Sequence, residues 1–143
     1  FEATIEKVVA LAILMPIVAS MGGIAGMQSL ALVIRSQALD QIGSSNSRLL
    51  IIKESSIGIL NGILWSTVVA LAVYLWFDSF FLGTVIASAL MINLIIGAVS
   101  GVSLPLILSK LNIDPALAGG VILTTITDIV GFISLLGIAT LIM

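Results

Sequence analysis

The run from Ala116 to Met143 reads ALAGGVILTTITDIVGFISLLGIATLIM. It is longer than the roughly 20 apolar residues that an α-helix needs to cross the hydrocarbon of a bilayer. In lipid such a segment satisfies its backbone hydrogen bonds as a helix, because no water is present to do so. One residue conflicts with that solvent. Asp128 sits near the centre of the run, about 18 Å from either end at ~1.5 Å per residue. An acid at that depth costs at least about 2.5–3.5 kcal/mol on insertion scales. The run decides the fold, and the acid raises the question of function.

Three more apolar segments precede it, from Ile5 to Leu39, Ile57 to Phe77 and Phe80 to Ser109. Of the 143 residues 60% are hydrophobic and only 8% charged, at a mean hydropathy of +1.34. Soluble domains carry about 25% charge. The expected fold class is therefore an all-α integral membrane bundle of four transmembrane helices, residues 1–143 forming one membrane domain. No segment alternates in the ten-residue manner of a barrel strand. The first segment is too long for one straight crossing. Pro16 and the glycines of MGGIAGMQS, residues 21–29, predict a kink or an interruption in it. Pro105 predicts a second kink. The turn LNIDP predicts a helix start with Asp114 as N-cap and Pro115 in the first position.

Charge gives the orientation. Arg35, Arg48 and Lys53 fall between the first two segments and Lys110 between the last two, whereas the connection at Asp78-Ser79 has no basic residue. The positive-inside rule makes the basic side cytoplasmic, so that Phe1 and Met143 both face outward. The chain starts without an initiator Met or a signal peptide, so a further crossing upstream is expected and the chain reads as a fragment. With no Cys and no His, thiolate or imidazole metal sites and Cys/His catalysis are excluded. Neither a Ser/Lys nor a paired-acid constellation lies at one depth, so no enzyme is expected. A formal charge of −2 does not suggest a nucleic-acid partner.

Asp128 has no Lys or Arg at its depth in any other segment. Its possible partners are a cation, water, another subunit or a proton. Thr124, Thr125 and Gly131 lie at i−4, i−3 and i+3, on its face of the helix, and Gly119 and Gly120 continue the small stripe. Hydroxyls, bare backbone and one carboxylate suit a water-filled path for a hard cation, and Mg²⁺ keeps several waters while taking one or two carboxylates. The alternative is a protonated acid bonded to a neighbouring helix. Gly22, Gly23, Gly26 and Gln28 fit either a pore wall or close helix packing. Lys53 and Glu54 open the second segment as interfacial anchors, or Glu54 forms a cytoplasmic ion entrance. Asn61 and Asn93 read as interhelical hydrogen-bonding groups.

Three stretches taken together, MPIVASMGGIAGMQSLALVIR, PLILSKLNIDPALAGG and TTITDIVGF, resemble the membrane domain of the MgtE family of magnesium channels and transporters, which is related to the solute carrier family 41 proteins of animals. The resemblance covers the chain in order. It implies a homodimer of five-helix subunits with the ion path at the dimer interface, the first helix being absent here, together with cytoplasmic regulatory domains that this chain does not contain. It implies that Asp128 holds hydrated Mg²⁺, that Thr124 and Gly131 offer backbone carbonyls to the water shell, that Glu54 matches an acid at the start of the family's third helix, and that Gly22, Gly23, Gly26 and Gln28 match a glycine-rich motif. Ile24 stands where that motif usually has Asn and Met27 where a polar residue is common, so selectivity and transport mode do not carry over with it.

The function expected is movement of Mg²⁺ or another divalent cation, partly hydrated, through a bacterial plasma (inner) membrane. Two alternatives are an exchanger coupled to Na⁺ or H⁺, and a non-transporting scaffold with Asp128 as a packing group.

Overall fold

The computed structural model describes residues 2–41 and 46–143, with side chains from Glu6 onward. The expected outward placement of Phe1 lies outside the described residues. Four helices follow one another: α1 (Glu2–Ala38), α2 (Ser47–Phe77), α3 (Phe80–Lys110) and α4 (Pro115–Ile142). Each is long and apolar enough to cross a membrane.

α2 starts at Ser47, ten residues before the apolar segment expected at Ile57. The intervening RLLIIKES consists largely of good helix formers. Hydropathy marks where the hydrocarbon begins, not where the helix does. α1 is likewise unbroken through Pro16 and its glycines, and α3 through Pro105. At ~1.5 Å per residue the 37 residues of α1 span about 55 Å, well beyond a ~30 Å hydrocarbon core. The chain spends the excess length as helix instead of breaking it.

The helices alternate in direction. Leu11 and Leu14 near the start of α1, Val73 near the end of α2, Leu82 and Ile86 near the start of α3, and Leu135 and Ala139 near the end of α4 share one buried cluster. At the opposite end Gln37 of α1 donates to the Pro105 carbonyl at 3.3 Å and to Ser109 Oγ at 3.1 Å. Arg35, Arg48, Lys53 and Lys110 lie toward that second end. The connections are short and locally coded. Asp78 (φ 46°) and Asn112 (φ 59°) turn the chain in the left-handed region, which Asp and Asn tolerate best after Gly. Ser79 caps α3 by accepting from the Leu82 amide at 3.3 Å. Asp114 caps α4 by accepting from the Ala116 amide at 3.0 Å, with Pro115 in the first turn, as its sequence predicts.

α3 is the central helix and packs against the other three, while α1 also packs against α4. The α1–α3 seam rests on bare backbone. Gly22 and Gly26 of α1 face Gly97 and Gly101 of α3, each pair four residues apart. A Cβ on Gly97 would stand 2.5 Å from the Gly22 carbonyl oxygen, and one on Gly26 would stand 2.8 Å from the Gly97 carbonyl oxygen. Such approach is available only to glycine and gives dispersion contacts that lipid cannot match. α4 buries a strict every-fourth stripe: Gly119, Leu123, Thr127, Gly131, Leu135 and Ala139. This is the i±4 ridge used in helix packing.

Candidate ion site

Asp128 lies thirteen residues after Pro115 and fourteen before Ile142, at the middle of α4. The buried stripe of α4 faces α1 and α3, so Asp128 points away from the bundle and is exposed. Thr124 and Thr125 share that outward face. Their hydroxyls donate back along the helix, Thr124 to the carbonyls of Gly120 (2.9 Å) and Val121 (3.1 Å), Thr125 to that of Val121 (2.7 Å). With their protons committed to the backbone, the hydroxyl oxygens present lone pairs outward. Asp128 itself makes no hydrogen bond or ion pair among the described residues.

Gly131, expected on the same face, is buried, on the flank of α4 that turns toward α1 and α3. A Cβ there would meet Asn93 Nδ2 at 3.0 Å and the backbone of Ala19 at 3.4 Å, and its carbonyl accepts from Ser134 Oγ at 3.1 Å. The i+3 position is offset by about 60° on a helix of 3.6 residues per turn. That offset is enough to carry it from the outward to the inward side.

The glycine-rich stretch divides in the same way. Gly22 and Gly26 are buried against α3, and Gly23 faces Thr127 of α4, with a Cβ on it 3.6 Å from Thr127 Oγ1. These three glycines, read as possible pore lining, are thus packing residues within one chain. Gln28 is exposed and borders a cleft of about 260 Å³ that also holds Asn61 and Trp65. Ile24 is 61% exposed and Met27 42%. The Met27 thioether reaches α4, lying 3.6–3.7 Å from where a Cβ on Gly120 would be. The outward faces of α1 and α4 therefore adjoin. Their shared surface carries Asp128, Thr124 and Thr125 from α4 and apolar Met27 from α1, whereas Ile24 lines the cleft with Gln28, Asn61 and Trp65.

Glu54, expected as an interfacial anchor or as part of a cytoplasmic ion entrance, lies inside the bundle, which an anchor would not. It is only 4% exposed and accepts a 2.8 Å hydrogen bond from Ser29 Oγ of α1. Lys53 beside it is exposed. The signal that would have found Glu54 is its spacing. Gly58, Gly62 and Ser66 follow at four-residue intervals and are all buried, so Glu54 heads the inward stripe of α2. Asn93 acts as the expected interhelical group by donating to the Val18 carbonyl at 2.7 Å. Thr127, fully buried and bonded to the Leu123 and Thr124 carbonyls, carried no sequence signal of its own.

Among the described residues no three Asp, Glu, Cys or His side chains gather to hold a metal. One chain thus offers a single mid-helix carboxylate and two hydroxyls on an open lateral face. Such a face can hold one side of a hydrated cation but cannot enclose it.

A family described as MgtE, divalent cation transporter, matches residues 15–138. The chain is 41% identical over 140 residues, 98% of its length, to the magnesium transporter MgtE of Bacillus subtilis, covering 31% of that protein. It is 32% identical over its full length to the magnesium transporter MgtE of Thermus thermophilus and 29% identical to that of Enterococcus faecalis, covering 32% of each. The chain spans about a third of the length of the curated relatives it matches.

Proposed function

This chain belongs to the MgtE family of divalent cation transporters, and from that premise we propose that residues 1–143 form a membrane domain moving Mg²⁺, with Asp128 as the central ion-binding group. The observation that carries this reading is the outward, partnerless Asp128 at the middle of α4. Against hydrocarbon a carboxylate there is strongly disfavoured. Against a second copy, the same face would bring two Asp128 carboxylates and four threonine hydroxyls around one water-filled path. A pair of carboxylates at that path would attract a divalent cation electrostatically and hold it through its retained waters, as suits Mg²⁺. Thr124 and Thr125 would accept from those waters. Gly131 belongs to this reading as the small inward residue that lets α4 sit close to α1 and α3. Glu54, buried toward the basic end, would serve as a second carboxylate near the cytoplasmic mouth. The four basic residues at that end orient the domain with its basic loops in the cytoplasm of a plasma membrane.

Uptake of Mg²⁺ into liposomes tests the site. Asp128→Ala should abolish it with the fold intact, and unchanged uptake would sink the assignment. A second reading is favoured by Met27, which makes the α1 part of the face apolar. An exchanger that takes up a proton or Na⁺ at Asp128 needs fewer polar wall groups than a channel passing hydrated ions. Flux that depends on an imposed Na⁺ or pH gradient would select the exchanger.

A further inference from the structure

Asn93, at the middle of α3, is fully buried at 0% exposure. Its Nδ2 donates to the Val18 carbonyl of α1 at 2.7 Å, and its Oδ1 has no hydrogen-bond partner. Two glycines on two different helices make room for it. A Cβ on Gly22 of α1 would stand 2.5 Å from the Asn93 Cγ, and one on Gly131 of α4 would stand 3.0 Å from Nδ2. The carboxamide therefore packs against both α1 and α4 where Gly131 also meets the Ala19 backbone, bonded to the first and in contact with the second. A buried acceptor left unmet is costly, and an apolar side chain of similar shape would avoid that cost. Packing alone does not explain an amide here, whereas its directional bond to Val18 does.

Gly131 is three residues beyond Asp128, within one helical turn, and faces inward where Asp128 faces outward. Resting on the reading of Asp128 as the ion-binding carboxylate, we propose that Asn93 is a positioning residue for that site. The Val18 carbonyl orients the amide, the amide together with the Ala19 backbone sets how α4 seats at Gly131, and that seating fixes the depth and angle at which α4 presents Asp128. Binding constellations tolerate displacements of only about 0.5 Å, and two carboxylates that hold Mg²⁺ through its waters must match the fixed size of that water shell. A change at Asn93 should thus weaken ion binding from inside the bundle without touching the ion.

The test uses the protein reconstituted in liposomes, with Mg²⁺ as the probe. Half-saturating concentration, maximal uptake rate and unfolding midpoint are measured for the unaltered chain, Asn93→Leu, and the double variant Gly22→Ala with Asn93→Ala. In the double variant the new methyl on Gly22 refills the space that the amide leaves. The expected result is a folded Asn93→Leu with half-saturation raised about five-fold or more and a smaller change in maximal rate, and the same shift in the double variant. An unaltered half-saturation in either folded variant overturns the inference, and so does failure of both to fold, which would make the amide purely structural. Asp128→Asn run alongside separates the premises. If it transports normally, the reading of Asp128 fails. If it is inactive while the Asn93 variants keep normal half-saturation, only the positioning role fails.

Discussion

Replacing Gly97 by Ala is the sharpest probe of how the bundle is held together. A Cβ at Gly97 would stand 2.5 Å from the Gly22 carbonyl oxygen and 3.3 Å from its carbon, both backbone atoms that no rotamer change can move aside. Ordinary carbon–oxygen contact needs about 3.3 Å or more, so α1 and α3 must separate by roughly 0.8 Å. Because α3 also carries α2 and α4, that shift loosens every seam. Overpacking of this kind costs about 1–3 kcal/mol. Alanine also gains about 1 kcal/mol of helix propensity over glycine, which would mask part of the loss. Gly137 supplies the control. It is helical, and nothing lies within 4 Å of a Cβ placed there, so Gly137→Ala carries the propensity gain without the clash. The difference between the two variants isolates the packing term. At about 2 kcal/mol it corresponds to roughly a thirty-fold change in the unfolding equilibrium constant. Reversible unfolding in mixed detergent–SDS micelles measures this directly. Equal stability of Gly97→Ala and Gly137→Ala would refute the glycine seam.

Three further outcomes follow from the same geometry. Ser29→Ala removes the hydrogen bond seen at Glu54 and should cost about 1–3 kcal/mol in the same unfolding assay, whereas Glu54→Gln keeps an acceptor for Ser29 and should cost less. Asp128→Asn should leave stability unchanged or raised, since no partner within the chain is lost, and should abolish the increase in melting temperature produced by Mg²⁺. A Mg²⁺-induced increase that persists in Asp128→Asn places the ion elsewhere. Asp114→Ala removes the cap on the Ala116 amide and should destabilise the start of α4 by about 1 kcal/mol, read as faster amide exchange in its first turn.

The ends of the elements were legible where local chemistry sets them. Asp114-Pro115 started α4 where its capping pattern says, and Asp78-Ser79 separated α2 from α3. The start of α2 was misplaced because hydropathy reports lipid contact, and the first turns of α2 lie where leucines, Lys53 and Glu54 mix. The interruption that the missing Pro16 donor and three nearby glycines allow for in the first segment does not occur. In lipid an open backbone amide has no water to turn to, so α1 absorbs Pro16 and its glycines without ending. At the site, the depth of Asp128 and its kinship with Thr124 and Thr125 followed from counting along one helix. The side on which Gly131 falls did not, whereas the burial of Glu54 is marked only by the small residues Gly58, Gly62 and Ser66 that follow it at four-residue intervals.

The sequence by itself determined four apolar helices, a solvent of lipid, an acid at mid-depth, and a basic end to orient them. Each of those properties is a sum or a position along the chain. Only the tertiary structure decided which way each residue turns: Asp128 outward, Gly131 and Asn93 inward, Glu54 inside, and Met27 against α4. The physical reason is that a helix apolar on all sides carries no stripe to mark its inner face. In water the polar side would have given the rotation away. In lipid both sides read alike, and the rotation is set by close contacts between helices, glycine against backbone at Gly22 and Gly97, and amide against carbonyl at Asn93 and Val18.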